Sequence, residues 1–393
     1  MHATALRELY RPLHDEAARQ RFVGVLKGFA NGTLEQQLAA HYESVLQPRF
    51  AREQGHAPRD RDEARALFES DPLFQLWGSM VYNSQDLMWQ TVDETCRRIE
   101  ADFEARARQV TAQPRGSLTL DPALVIPKPI ADVEIHRQPG GYFASAGPDD
   151  LHAALIYFGT IELYRSAKGL SANAAVGEPG IGRFIVSVLK RRYPDLAPRR
   201  ILDLGCGPGI ETTALQEAFP EAEVHGVDLS APFVKFAHAW AEDRGAAMHF
   251  RQADAQRTGY PDGHFDLIVS HILVHETSHN AIRNIMREAY RLLAPGGVVL
   301  HVETPPFRDL DMFDAFMLDW DTRNNNEPYW HASHELVPAE LAEQAGFGAA
   351  AAFEAVQPSA FGMAEAARTH VFQCGDFGGA GSWYIWGARK PGN

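Results

Sequence analysis

Ile201-Leu-Asp-Leu-Gly-Cys-Gly-Pro-Gly209 decides the fold of this chain. An apolar strand runs into a turn with glycine at 205, 207 and 209, and residues 210–219 then have the pattern of a helix. A backbone that bends sharply and lets a ligand lie against it requires residues without a Cβ. The spacing discriminates between ligands. A dinucleotide turn needs Gly-x-Gly-x-x-Gly, whose third glycine would fall at 210, where this chain has Ile210. Gly-x-Gly-x-Gly after an acidic strand residue suits instead a nucleoside with an amino-acid tail, which has no pyrophosphate to cradle.

Outward from this turn, strand and helix patterns alternate. Strands are predicted at 201–204, 223–227, 248–252, 265–270 and 298–302, and helices near 210–219, 231–244 and 280–293. Such alternation predicts a parallel sheet with helices on both faces. Val224-His-Gly-Val-Asp228 is a second buried strand ending in a carboxylate placed to accept from both ribose hydroxyls; the competing role for Asp228 is a helix cap before Ser230. Asp254, between Ala253 and Ala255, is a third acidic position, suited to an adenine amino group.

With Phe265-Asp-Leu-Ile-Val-Ser270 and Leu292-Leu-Ala-Pro-Gly-Gly-Val-Val-Leu300, these five successive motifs resemble the class I S-adenosylmethionine-dependent methyltransferases over about residues 195–393. The resemblance implies S-adenosyl-L-methionine as cofactor. Asp203, Gly205, Cys206, Gly207 and Gly209 would lie near its methionine part, Asp228 and Leu229 at the ribose, Asp254 and Ala255 at the adenine edge, and Ser270 at the end of the fourth strand. It also implies a Rossmann-like, seven-stranded α/β sheet whose last strand is antiparallel, for which Ser382-Trp-Tyr-Ile-Trp-Gly-Ala-Arg389 is suited.

The acceptor half of such a site lies beyond the fourth and fifth strands. Here Ser270-His-Ile-Leu-Val-His-Glu-Thr-Ser-His279 spaces His271, His275 and His279 by four, which would stack them on one helical face. His275 is the first candidate general base and Glu276 the second, because removing a proton from a hydroxyl or ammonium acceptor needs a group that titrates near neutrality. A metal held by histidines four apart is the weaker alternative, and no metal is expected; His331 and His334 are its only further donors. His271, Glu303, Phe316, Trp320 and Tyr329 are the candidate substrate residues. Phe316 and Trp320 belong to an insertion at about 305–335 whose helix sets Met312, Phe313, Phe316, Met317 and Trp320 opposite Asp311, Asp314, Asp319 and Asp321, as core packing or as a lid. Residues 358–381, with Phe361, His370, Phe372 and Cys374, are expected to close the pocket.

Residues 1–141 are expected to form a helical domain and connector, and 142–393 the cofactor-binding domain. Thr33-Leu-Glu-Gln36 has capping-box spacing before a helical run. After Asp71-Pro72, residues Trp77, Val81, Met88, Val92, Cys96, Ile99 and Phe103 share one face of a long helix, with Tyr82, Asn83, Gln85 and Asp86 on its wet side. Residues 113–141 are proline- and glycine-rich, with a β-like piece at 123–126. Helices follow at about 148–164 and 180–193. The helical segment is expected to cap the pocket or form a homodimer interface.

At 393 residues, 45% hydrophobic and 22% charged, the composition is that of a globular protein. A net charge of −14 disfavours nucleic acid as substrate. Three scattered cysteines and the lack of a signal or membrane-spanning segment make the cytoplasm the expected location. Methyl transfer to an oxygen or nitrogen of a small metabolite is the expected activity. The alternatives are other chemistry on the same cofactor, such as cyclisation or C-methylation, and a non-catalytic binding scaffold.

Overall fold

The computed structural model describes residues 5–166, 180–358 and 382–392. Their centre is one mixed sheet of eight strands: β1 (Ser117–Thr119), β2 (Arg200–Leu204), β3 (Glu223–Asp228), β4 (His249–Gln252), β5 (Phe265–His271), β6 (Leu293–Glu303), β7 (Ala352–Pro358) and β8 (Ser382–Arg389), in the order β1-β4-β3-β2-β5-β6-β8-β7. The pairs among β1 to β6 are parallel, and β8 runs antiparallel to both β6 and β7. The expected antiparallel last strand is therefore β8, but seven strands is one too few. The eighth comes from the connector, where Ser117, Leu118 and Thr119 pair with His249, Phe250 and Arg251. The β-like piece at 123–126 is not a strand: its apolar Val125 is 83% exposed, so no sheet face holds it.

Strand alternation feeds two cores. Ile201, Val224 and Val269 face the helices Gly180–Arg192 and Ala231–Asp243, whereas Leu202, Val227 and Ile268 face His279–Leu292 and Pro338–Ala345. The chain order reverses between β2 and β5, and a crevice opens at their C-terminal ends, the position where open α/β sheets take ligands.

The long helix forms as its sequence requires. Asp71 caps Pro72–Val110 by accepting from the backbone N–H of Leu73 and Phe74, Pro72 occupies the first turn, and all seven residues of the apolar face are buried. Its supposed wet side is only partly wet. Gln85 is buried, accepting from Lys27 Nζ at 2.8 Å and donating to the His136 carbonyl at 3.1 Å. The segment before it differs from expectation as well. Residues 14–54 form a continuous right-handed helix with π-helical turns at Phe29–Leu34 and Tyr42–Leu46, so Thr33-Leu-Glu-Gln36 lies inside a helix where no N-terminal N–H is free to be capped.

The long helix joins His152–Ser166 and Ala231–Asp243 in a third core, in which Phe103 stacks on Phe236 at 5.2 Å between ring centroids. Arg106 ties the same elements by pairing with buried Asp243 at 2.6 Å. In the insertion, helix Met312–Asn324 packs its aromatic face on the N-terminal helices. Asp319 is not on a solvated face. It is buried, and pairs with Arg65 and with His331.

Candidate functional site

The glycine turn folds as its sequence demands. Gly205, Gly207 and Gly209 all have positive φ, at 68°, 51° and 74°, and the backbone N–H groups of Gly205 and Cys206 both donate to the Val227 carbonyl on β3. Asp228, at the end of β3, accepts from Gly207 N at 3.0 Å and from Ser230 N at 2.8 Å, and Ser230 caps the helix that follows. Asp203 accepts from the Thr212 hydroxyl at 2.6 Å. Asp254 is fixed by Gln256, whose backbone N–H and side-chain amide donate to its two oxygens.

A cavity of about 300 Å³ gathers these groups. Asp203, Gly205, Cys206, Gly207, Asp228, Leu229, Asp254 and Ala255 line it, as do His271, Glu276 and Tyr329 from the acceptor half. Burial pushes the Asp203 carboxyl up to about 7, Glu211 beside it to about 7 and Asp228 to about 6. Such a set of buried carboxylates favours a cationic ligand.

Six expected residues stand outside this wall: Gly209, Ser270, Phe316, Trp320, His275 and Glu303. Gly209 is absent from the wall; an added Cβ would meet Ala237 Cβ at 2.7 Å, so this glycine permits close packing of the turn on a helix. Ser270 is fully buried in the sheet and bonded to His301 Nδ1 at 2.7 Å. Phe316 and Trp320 do not line the cavity: Phe316 stacks on Phe68 at 4.5 Å and Trp320 packs on Trp77 at 4.6 Å. Their aromatic face is core, as expected of most such helices.

The three histidines do not share a helical face. His271 ends β5, His275 sits in a 3₁₀ turn at Val274–Glu276 and His279 begins the next helix, because Ile272, with φ 46°, breaks the path between them. His271 is pushed down to about 3 by burial and by His275. His275 is fully buried, outside the cavity wall, stacked on Trp330 at 5.1 Å. Its Nδ1–H donates to Glu303 Oε2 at 2.7 Å, while Glu303 Oε1 accepts from Val274 N. Burial opposes the charged imidazole, but the Glu303, Glu276 and Glu327 carboxylates together outweigh it and the pKa rises. Glu303 therefore orients His275 and does not line the cavity. His331 pairs with Asp319 and His334 bonds the Pro305 carbonyl at 2.7 Å.

Glu276 is the acidic group of this turn that reaches the cavity. Burial and the nearby Glu327 carboxylate raise its pKa. Tyr142 OH donates to its Oε1 at 3.4 Å, and the Tyr142 carbonyl accepts from Ser230 Oγ, which links the acceptor side to the cap behind Asp228.

Three contributors carry no periodic sequence signal: His136 in the connector, Tyr142 directly after it and Glu327 in the insertion. His136 and Arg137 both adopt positive φ, at 53° and 61°, a costly conformation for residues with a Cβ. The long helix holds them there. Gln85 Nε2 and Trp89 Nε1 donate to the His136 carbonyl, and Asp86 and the Tyr82 ring grip the Arg137 guanidinium. Residues 358–381, expected to close the pocket with Phe361, His370, Phe372 and Cys374, lie outside the described residues beyond Pro358.

Residues 201–297 match a family model described as a methyltransferase domain. The chain carries a methyltransferase domain. It is similar to a demethylmenaquinone methyltransferase of Thermus thermophilus, 40% identical over 121 residues that span 30% of this chain and 54% of the relative. It is similar also to a malonyl-[acyl-carrier protein] O-methyltransferase of Legionella pneumophila, 30% identical over 160 residues, 39% of this chain and 52% of the relative. The chain thus spans about half the length of these curated relatives. Among solved structures it resembles phosphoethanolamine N-methyltransferase 2 of Haemonchus contortus in complex with phosphomonomethylethanolamine and S-adenosylhomocysteine, with a TM-score of 0.43, 19% identity and coverage of 59% and 57% of the two chains. The methyltransferase domain thus contains β2 to β5, the glycine turn and all three acidic positions, and His136, Tyr142 and Glu327 come from outside it.

Proposed function

We propose that this chain transfers the methyl group of S-adenosylmethionine to an oxygen or nitrogen atom of a small molecule. One observation carries the proposal: the glycine turn, Asp228 and Asp254 converge on a single cavity whose far wall is formed by Glu276, His271 and Tyr329. The near half suits the cofactor. Asp228 offers carboxylate oxygens where ribose hydroxyls donate, and the buried Asp203 and Glu211 favour the cationic methionine end. Transfer from a sulfonium is an in-line displacement, so the protein's task is to place the acceptor and take its proton. Glu276 faces that space with a raised pKa; His275 stands behind it, oriented by Glu303. By their names the two relatives act on demethylmenaquinone and on malonyl-[acyl-carrier protein], and the first of these supports a small acceptor here.

The test is calorimetry with S-adenosylmethionine, followed by incubation of the chain, methyl-labelled cofactor and candidate acceptors. Binding is expected, and Asp228→Ala should weaken it by roughly tenfold or more, the loss of a charged hydrogen-bond acceptor. No binding at millimolar cofactor would favour a scaffold, and label absent from every product would exclude methyl transfer.

A further inference from the structure

Two histidines and a carboxylate converge at the far wall of the cavity, His136 and Glu276 within it and His275 behind it. His136 Nε2 stands 3.5 Å, and His275 Nε2 3.8 Å, from Glu276 Oε1. One donor atom from each of the three lies within 4.8 Å of the other two, so a point about 2–2.5 Å from all three exists between them, close to the bond lengths of a divalent transition ion.

Each imidazole turns its other nitrogen to a carboxylate. His275 Nδ1–H donates to Glu303 Oε2 at 2.7 Å, and His136 Nδ1 pairs with Glu327 Oε1 at 2.7 Å. An ionised carboxylate accepts and does not donate, so one ring proton is held at Nδ1, and an ion that displaces the proton from Nε2 meets a lone pair directed at the shared point. A carboxylate behind the imidazole is the usual support of a metal-bound histidine. His275 Nε2 is fully buried and makes no hydrogen bond, and neither does Glu276 Oε2. Charge points the same way: Glu276, Glu303 and Glu327 set three carboxylates around two imidazoles, and only a cation offsets them without further protons.

We propose that His136, His275 and Glu276 bind one divalent first-row transition ion, with Glu303 and Glu327 as the groups that orient the histidines. Two nitrogens and one oxygen leave coordination positions open, and the open side is the cavity, where His136, Glu276, Tyr142 and Tyr329 form the wall. Resting on the proposed methyl transfer, this narrows the acceptor to a molecule with a hydroxyl or carboxylate oxygen that completes the coordination. Glu276 is then a ligand and not the base: the ion lowers the pKa of a bound hydroxyl, whose proton leaves to solvent before its oxygen takes the methyl group, and a carboxylate oxygen has no proton to lose. The ion also gives the strained connector a task, since the long helix holds the His136 carbonyl through Gln85 and Trp89.

The experiment titrates the untagged full chain, stripped with chelator, with Co(II) alone and then displaces it with Zn(II). One equivalent with visible d–d absorption of a low-coordinate nitrogen and oxygen site is expected. His136→Ala should weaken Zn(II) binding by about 100-fold, and Glu303→Gln, which keeps all three ligands, by roughly 10–100-fold. Retained S-adenosylmethionine binding shows that each variant is folded. If a variant does not fold, the parent chain decides: less than one equivalent of Co(II), or a spectrum of hydrated ion, overturns the proposal, as does unchanged affinity in folded His136→Ala. Metal binding without cofactor binding would remove the methyl-transfer function and leave the ion site; cofactor binding without metal would do the reverse.

Discussion

Asp203 shows how single residues of this site trade stability for binding. An unfolded aspartate ionises near its ordinary value of about 4, whereas burial holds the folded Asp203 carboxyl protonated up to about 7. Within that window the folded chain binds more protons than the unfolded one, so stability falls as pH rises through it and is level above. Asp203→Asn removes this cost. In the ligand-free state the variant should be more stable than the parent at about pH 8, by on the order of 1–4 kcal/mol, and the gain should shrink towards about pH 5. Thermal unfolding followed by circular dichroism across this range measures it; a variant that melts lower at the upper end would show that the Thr212 hydrogen bond outweighs burial. The same variant should bind S-adenosylmethionine more weakly, because the cationic end of the ligand loses its counter-charge.

Among elements, the decisive contact is the glycine turn against the helix Ala231–Asp243. All three glycines have positive φ, but they differ in space: a Cβ at 209 would meet Ala237 at 2.7 Å, whereas a Cβ at 207 finds only Phe233 at 3.8 Å. Both alanine variants incur the left-handed strain of roughly 1–2 kcal/mol. Gly209→Ala should lose a further 1–3 kcal/mol, approximately, to overpacking. Urea unfolding of the two variants side by side tests the difference, and equal losses would mean that the helix shifts to make room. Much of this element structure was legible. Five strands, their intervening helices and the long capped helix follow from pattern, because the helices bury one face and the strands are short apolar runs between turn residues. The strand Ser117–Thr119 was not legible, since three residues carry too little alternation to mark a strand at the edge of a sheet.

Across the whole molecule, the long helix and the sheet share a core. Phe103 is fully buried against Phe236, and Arg106 reaches Asp243. Phe103→Ala should cost about 3–5 kcal/mol and lower the midpoint of one cooperative unfolding transition. Calorimetry that shows a second transition left at the parental midpoint would mean that the helices and the sheet unfold independently.

The sequence by itself determined the glycine-turn side of this cavity, the proposed cofactor half, because a glycine turn, its acidic strand and the next acidic strand end are local in the chain and their spacing is set by backbone geometry. Asp203, Gly205, Cys206, Gly207, Asp228 and Asp254 therefore line one cavity, whereas Gly209 and Ser270 do not. Only the tertiary structure decided the acceptor half. Phe316 and Trp320 passed into the core, Glu303 became the support of His275, and His136, Tyr142 and Glu327 arrived from a connector, its downstream edge and an insertion without periodicity. The reason is physical: His136 reaches Glu276 across 140 residues of chain only because a buried helix fixes the backbone carbonyl behind it, and no local pattern records such a contact.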